Sequence, residues 1–152
     1  MIDPKRLYHI GFVVPSLEEA MDELGAAFSY SWSSIREANF DLITPAGPST
    51  GKARIVFARP GPPWLEVIQA PADSLWSAAG GAALHHLGYW VDDLDGEARH
   101  LASLGLEFEI GRRDENGQLA GFAYYRSPNS GRIEIVDERA RDGLERWINE
   151  GL

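Results

Sequence analysis

The 152-residue sequence has no cysteine and no long hydrophobic run. Without cysteine there are no disulfide bonds, zinc–thiolate sites, iron–sulfur clusters or thiol nucleophiles, so any metal site must use histidine and carboxylate ligands. No apolar run approaches the ~18 residues of a membrane-spanning helix. Residues 1–6 lack the apolar segment of a signal peptide. We therefore expect a cytoplasmic protein that does not bind membranes.

Basic side chains are also scarce. The sequence has 14 Lys and Arg residues against 23 Asp and Glu residues, which gives a formal charge of −9. A chain this acidic, with no basic cluster, is a poor candidate for binding nucleic acid or anionic membranes. Hydrophobic residues make up 44% of the sequence, which is typical of a folded chain. Its length favours a single domain over residues 1–152.

An internal repeat is the main feature that the sequence does contain. The segment His-Ile-Gly-Phe-Val-Val at residues 9–14 matches His-Leu-Gly-Tyr-Trp-Val at residues 86–91, and a polar helix start follows each. The ends of the two halves also match, with Trp-Leu-Glu-Val-Ile at 64–68 against Arg-Ile-Glu-Ile-Val at 132–136. Each half therefore begins with a His-bearing strand and closes with a Glu-bearing strand.

The same order of elements is predicted twice, namely one strand, one helix and three strands. The first half has strand 7–14, a helix capped by Ser16 with Glu19 completing a capping box, and strands 40–44, 53–58 and 64–69, with a turn-rich stretch at 45–51. The second half has strand 84–91, helix 94–104 and strands 106–111, 119–126 and 132–136. This predicts an α+β fold with modules at 7–70 and 83–137, a linker at 71–82 and a C-terminal helix within 138–152.

Four polar residues interrupt these apolar strands at matching places in the two halves: His9, Glu66, His86 and Glu134. Taken singly, each is most simply a structural or solvent-facing residue. If the halves pack about a pseudo-twofold axis, however, the four side chains converge and leave a charge of about −2 in a partly buried site, which is costly. One divalent ion removes that cost. Nitrogen and oxygen ligands favour Ni, Co, Mn or Fe(II), and Zn is compatible.

These motifs resemble those of the vicinal oxygen chelate superfamily, which includes glyoxalase I, methylmalonyl-CoA epimerase, extradiol dioxygenases and bleomycin- and fosfomycin-resistance proteins. The resemblance rests on the two His-x-Gly-x-x-Val strand starts, on the strands around Glu66 and Glu134, and on the turn within residues 125–134. It covers residues 7–136. It implies paired βαβββ modules that curl into a cup-shaped mixed sheet around the metal, a small-molecule substrate and a homodimer.

The resemblance also implies an activity. Bacterial glyoxalase I has the same four residue types, whereas methylmalonyl-CoA epimerases tend to have Gln in place of Glu66, although residues 7–14 look more like the epimerase branch. The implied enzyme is a metal-dependent lyase, isomerase or epimerase that removes a proton α to a metal-bound carbonyl through an enolate or enediolate. Glu134 is the expected base, and Glu66 is the candidate for proton transfer on the opposite face of the substrate.

Two other activities occur in similar proteins. One is metal-free binding of a drug or metabolite, as in bleomycin-resistance relatives, which usually lack the ligand residues. The other is ring cleavage by extradiol dioxygenases, which use two His and one Glu. The intact set of four residues disfavours both.

Several other side chains have expected positions. Trp64 shares strand parity with Glu66, and one of two consecutive tyrosines on the penultimate strand should face the cup. We expect Trp64 and Tyr125 to contact substrate.

Three further polar residues are interpreted as structural or exposed. His85 should point away from His86 because side chains alternate along a strand. Arg112 and Arg113 precede a hairpin and are interpreted as its solvated tip, with binding of a substrate carboxylate or phosphate as the alternative.

Overall fold

The computed structural model describes residues 1–150 and contains two modules that share the order strand, helix and three strands, with one additional short strand in the first module. The first module comprises β1 (Leu7–Val13), α1 (Leu17–Phe28), the short strand β2 (Ser31–Trp32), β3 (Arg36–Thr44), β4 (Gly47–Arg59) and β5 (Trp64–Gln69). The second comprises β6 (Ala83–Val91), α2 (Leu94–Ser103), β7 (Glu107–Arg113), β8 (Leu119–Ser127) and β9 (Gly131–Asp137). Short 3-10 helices lie at Pro4–Arg6 and Glu138–Ala140, and α3 spans Arg141–Glu150.

Eight of the nine strands within residues 1–150 form a ring that curls into a cup. The order is β4-β3-β7-β8-β9-β6-β1-β5, and β5 closes the ring by pairing with β4. The modules meet along the antiparallel pair β1–β6, whereas on the other side β3 and β7 share one residue pair, Ile43 with Gly111. This confirms the predicted α+β fold of paired βαβββ modules with a C-terminal helix. Residues 151–152 of the segment predicted at 138–152 lie outside the described residues.

A local sequence signal accounts for the start of α1 but not for the start of β4. Ser16 caps α1, and its Oγ accepts a hydrogen bond from the Glu19 amide, as the capping motif predicts. The prediction of a turn over residues 45–51 is wrong, because β4 already begins at Gly47 and pairs with β3 in continuous register. The turn itself is held by Thr44, whose Oγ1 accepts from the Ala46 amide. Pairing with β3 therefore overrides the local turn preference of this Pro- and Gly-rich stretch.

The helices cover the outside of the cup and one of its ends. Leu17 of α1 packs on β4 and β5, and Leu101 of α2 packs on β8 and β9. Helix α3 places Trp147 against Phe57 in an aromatic cluster at one end of the sheet. The helices thus bury the outer faces of the sheet, and the inner face is free to line a cavity.

Within residues 1–150, no helix combines the length and the apolar character that a membrane span requires.

Candidate metal centre

The register of β1 and β6 places two histidines side by side at the middle of the sheet. His9 lies opposite Gly88, and Gly11 lies opposite His86. Each imidazole lies over the glycine of the other half, because a Cβ built on Gly11 would lie 2.0 Å from Cε1 of His86, and one on Gly88 would lie 2.0 Å from Cε1 of His9. The glycine of each His-x-Gly motif therefore provides the space that the opposite histidine occupies.

The flanking parallel strands add one carboxylate on each side. Glu66 of β5 lies beside Gly11, and Glu134 of β9 lies beside Gly88. Two imidazoles and two carboxylates, one of each from each module, therefore share one face of four adjacent strands. The structure brings all four sequence-predicted residues together, with their nearest donor atoms within 4.8 Å of one another.

The donor atoms are separated by distances that one small cation could span. Nε2 of His9 lies 2.6 Å from Nε2 of His86 and 2.9 Å from Oε2 of Glu134. Oε2 of Glu66 lies 3.4 Å from Nε2 of His9 and 3.2 Å from Nε2 of His86. Since such ions bind nitrogen and oxygen ligands at about 2.0–2.2 Å, adjacent ligands of an octahedral ion lie about 3 Å apart. The donor set and its spacing fit a divalent first-row metal ion.

Burial makes the four groups interact strongly. The exposed fractions are 1% for His9 and His86, 7% for Glu134 and 9% for Glu66, and Oε2 of Glu66 is buried with no hydrogen-bond partner among residues 1–150. Burial alone would lower the pKa of His86, but the carboxylates of Glu134 and Glu66 outweigh it and raise that pKa to about 9. Burial would raise the pKa of Glu134, but both imidazoles outweigh it and hold that pKa well below its usual range. Without a metal the cluster therefore retains a proton.

A third histidine orients one of the two ligand candidates. Nε2 of His85 lies 2.9 Å from the carbonyl oxygen of Leu75, which can only accept, so His85 donates from Nε2. Burial lowers the pKa of His85 to about 3, so its ring is neutral and its Nδ1 accepts. Nδ1 of His86 lies 2.9 Å away and donates to it, which directs Nε2 of His86 towards the other three donors.

A β-bulge explains why strand alternation misplaces His85. The pairing with β1 passes from Gly11–His86 to Phe12–Leu84, so His85 is the extra residue and its ring is buried beside His86. Tyr8 occupies the matching bulge before His9 and packs edge-on against the His9 ring. The expectation that His85 points away from its neighbour is therefore wrong. Two adjacent histidines in one half were the only sequence signal for this contact.

Removing the His85 ring is expected to weaken metal binding by about 10- to 100-fold, the usual effect of losing a partner that orients a metal ligand. The comparison uses His85→Ala, with His100→Ala on α2 as the matched control and His85→Gln as the conservative variant. Glutamine can accept from Nδ1 of His86 and donate to Leu75, so it should restore part of the affinity. Titration with Co²⁺ or Ni²⁺ measures the affinity. Equal affinities for His85→Ala and wild type would contradict this role.

A cavity of about 240 Å³ lies above the four donors. It is lined by Glu66 and Glu134, whereas the two imidazoles lie beneath them and do not reach it. The walls are mainly aromatic and come from both modules, the linker and α3, among them Tyr8, Phe57, Trp76, Trp90, Tyr124 and Trp147. A larger open groove of about 630 Å³, beside Lys52 and Gln69, contains none of the four donors. The cavity that contains the two carboxylates is the candidate substrate site.

Two expected substrate contacts are corrected by the structure. Tyr125 faces outwards into the cluster under α2, and its neighbour Tyr124 lines the cavity instead. Tyr124 pairs with Glu134 across β8 and β9, so these two residues share a face. Trp64 lies on the same face of β5 as Glu66, but it packs with Tyr8 in the aromatic cluster at the end of the sheet and does not line the cavity.

The two consecutive arginines, Arg112 and Arg113, also have different environments. Arg113 donates to the Gly117 carbonyl within the hairpin, as a residue of the solvated tip should. Arg112 instead lines the cavity. β7 has bulges between Phe108 and Ile110 and between Gly111 and Arg113. These bulges shift the alternation of side chains between the two faces of β7, so simple alternation does not predict where Arg112 lies.

Comparison with known families places the chain among its relatives. The profile of the Glyoxalase/Bleomycin resistance protein/Dioxygenase superfamily matches residues 8–124, which is more than half of the sequence. The chain belongs to this superfamily. The match confirms the resemblance drawn from the repeated motifs. A search of curated proteins finds no match.

Solved structures share the fold of this superfamily member. The methylmalonyl-CoA epimerase of Mycobacterium tuberculosis is 18% identical, with a TM-score of 0.64, and the match covers 95% of this chain and 97% of that one. A methylmalonyl-CoA epimerase in complex with methylmalonyl-CoA and NH4+ is 17% identical, with a TM-score of 0.64 and coverages of 89% and 95%. A Streptomyces coelicolor methylmalonyl-CoA epimerase variant in complex with 2-nitronate-propionyl-CoA gives the same four values. At such identities these likenesses show the fold.

Proposed function

We propose that this superfamily member is a metal-dependent enzyme of the isomerase or epimerase type, which removes a proton from the carbon next to a carbonyl group of a small-molecule substrate. One observation carries the proposal: two carboxylates, one from each half, line the cavity while their imidazole partners lie beneath it. Carboxylates in this position can reach a substrate and carry a proton. Methylmalonyl-CoA epimerases of the same fold support the reaction type.

The residues that would hold the metal are His9, Glu66, His86 and Glu134. When bound, a divalent ion such as Ni, Co, Mn, Fe(II) or Zn supplies Lewis-acid stabilisation of the negative charge that develops on the carbonyl oxygen. Its charge would also offset the two buried carboxylates. The residue types at the centre therefore suit both the ion and the reaction.

The two carboxylates have complementary roles in this proposal. Glu134 takes the proton from the α-carbon and holds it on a carboxylate oxygen. Return of that proton to the neighbouring carbon isomerises the substrate. Inversion at the same carbon instead requires Glu66 to start as the protonated acid and to deliver its own proton from the other side, while Glu134 keeps the proton that it took. The pseudo-twofold relation between Glu66 and Glu134 favours inversion, because it puts one proton carrier on each side of the centre.

Two buried tyrosines can position the substrate. Burial, together with the charges of Glu134 and Glu66, raises the pKa of Tyr8 and that of Tyr124 well above the usual value, so both phenols keep their protons. The Tyr124 hydroxyl accepts a hydrogen bond from Nε1 of Trp76 at 3.2 Å, which leaves its own proton free for an acceptor in the cavity. A substrate carbonyl or carboxylate is such an acceptor.

Deuterium exchange tests the proposed reaction. The metal-loaded protein in D2O is incubated with methylmalonyl-CoA or with the glutathione hemithioacetal of methylglyoxal, and exchange at the α-carbon is followed by NMR. We expect Glu134→Gln to slow the exchange by about a hundredfold, because it removes the base and keeps an oxygen ligand. Metal content measured on the same sample separates loss of the base from loss of the ion.

The two alternatives give different results in this experiment. A binding protein would bind a ligand without any exchange, and its binding would survive chelation of the metal. Absence of exchange with every substrate offered, in protein that holds its metal, would count against the proposed reaction. Lyase activity, a homodimer and a cytoplasmic location stay predictions that size measurement and product analysis can test.

A further inference from the structure

Two arginines border the outer part of the cavity, one from each module. Arg36 begins β3 and Arg112 lies near the end of β7, and both are exposed, whereas Glu66 and Glu134 at the floor are buried. These two carboxylates are the only acidic residues among those that line the cavity in the described part of the chain. The cavity therefore has negative ligand groups at its floor and positive groups at its mouth.

The two guanidinium groups are free to bind a ligand. Among residues 1–150, neither Arg36 nor Arg112 forms a salt bridge or a side-chain hydrogen bond, whereas Arg6, Arg54 and Arg132 are held by carboxylates. The guanidinium carbon of Arg36 lies 3.9 Å above the centre of the Trp147 ring. This cation–π contact holds the guanidinium group of Arg36 at the cavity, where its N–H donors can bind a carboxylate.

The space between mouth and floor suits an apolar body. Aromatic and aliphatic side chains make up most of its wall, and a cavity of about 150 Å³ already accepts a benzene ring. The 240 Å³ here therefore accommodates one aromatic ring with a short side chain. A flat ring would lie among Phe40, Trp76 and Phe122.

We infer that the substrate is a carbonyl compound with an apolar, preferably aromatic, body and a remote carboxylate that is bound at the mouth of the cavity by one or both of Arg36 and Arg112. This inference rests on the proposed function for the direction in which the substrate enters. The arginines hold the anionic end, and the carbonyl end reaches the floor beside Glu134. The two arginines act as specificity-determining residues and take no part in proton transfer.

A matched pair of small ligands tests the inference. The probes are 4-(2-oxopropyl)benzoate and its neutral counterpart 1-(4-methylphenyl)propan-2-one, titrated into the metal-loaded full chain at low ionic strength. Quenching of tryptophan fluorescence reports binding, because Trp76, Trp90 and Trp147 line the cavity. We expect the carboxylate to bind at least tenfold more tightly than the neutral ketone, and we expect this preference to fall as salt is added.

Variants show whether the arginines cause the preference. The double variant with Arg36→Gln and Arg112→Gln should bind both probes equally, and its affinity for the neutral ketone should stay within twofold of wild type. Arg113→Gln is the matched control, because that side chain is held in the hairpin turn. Equal binding of the two probes to wild type, or a preference that survives in the double variant, overturns the inference.

Exchange at the methylene group of the same probes separates this inference from the proposed function. An arginine-dependent preference with no deuterium exchange would uphold the anion site and count against the proposed reaction. Deuterium exchange without any preference for the carboxylate probe would support the proposed reaction and count against the anion site.

Discussion

Replacement of Gly11 by alanine is expected to lower the free energy of unfolding by about 3 kcal/mol or more and to displace His86 from the metal centre. The added Cβ would lie 2.0 Å from Cε1 and 2.4 Å from Nδ1 of that ring. The ring is fully buried and hydrogen-bonded to His85, and the backbone is held in the central pair of the sheet, so neither can move aside cheaply. Gly88→Ala should act in the same way on His9. Urea unfolding of the metal-free proteins measures both effects.

A double-mutant cycle shows whether the collision is the cause. In a His86→Ala background the space opposite position 11 is empty, so Gly11→Ala should cost less than about 1 kcal/mol there. In a His9→Ala background it should cost as much as in wild type, since Gly11 faces the other ring. Gly143→Ala in α3 is the control, because no atom of the described part of the chain lies within 4 Å of its Cβ position and the helix tolerates alanine. Equal costs of Gly11→Ala in the two backgrounds would refute this explanation.

The second large effect concerns the metal itself. We expect the purified protein to hold about one divalent ion per chain and His86→Ala or Glu134→Ala to weaken binding by at least about a thousandfold, because each removes a direct ligand and not merely an outer partner. Binding at a free metal concentration of about 1,000 times Kd stabilises a fold by about 4 kcal/mol. For a domain of this size that raises Tm by about 10 °C. Elemental analysis and thermal unfolding with and without chelator measure the two quantities.

A histidine outside the centre provides the control for metal binding. His100→Ala should keep wild-type metal content and Tm, because that histidine lies on α2, away from the cavity. The thermal shift should vanish in both ligand variants. Wild-type protein that holds no metal after incubation with Ni, Co, Mn, Fe(II) and Zn would contradict the proposed enzyme and favour a binding protein.

The repeat explains why the positions of the four central residues could be predicted. Two copies of one motif, related by a pseudo-twofold, must put equivalent residues near the axis, and the alternation of side chains then selects a single face. His9 and His86 reach the axis through β1 and β6, and their carboxylate partners follow from the matching final strands. No knowledge of the loops is needed for this result.

Bulges and strand ends account for the residues that could not be predicted. The bulge at His85 brings consecutive rings together, and the bulges on β7 put Arg112 into the cavity. The position of Trp64 depends on how far the cavity extends along β5, which no local pattern encodes. The β8–β9 hairpin did contain a usable signal. Pairing outwards from a turn at 128–130 puts Tyr124 opposite Glu134, and thus assigns Tyr124 and not Tyr125 to the cup.

The packing of each histidine over the glycine of the other half couples the evolution of the two halves. Gly11 accommodates the ring of His86, and Gly88 accommodates that of His9, so each copy of the repeat is constrained by a residue in the other copy. After the duplication that the repeat implies, the copies could diverge freely in their loops and outer faces but not at these four positions. In a chain that lacks one of these histidines, the glycine of the opposite half is released from this constraint, so a larger residue at that glycine is expected only where the histidine is absent.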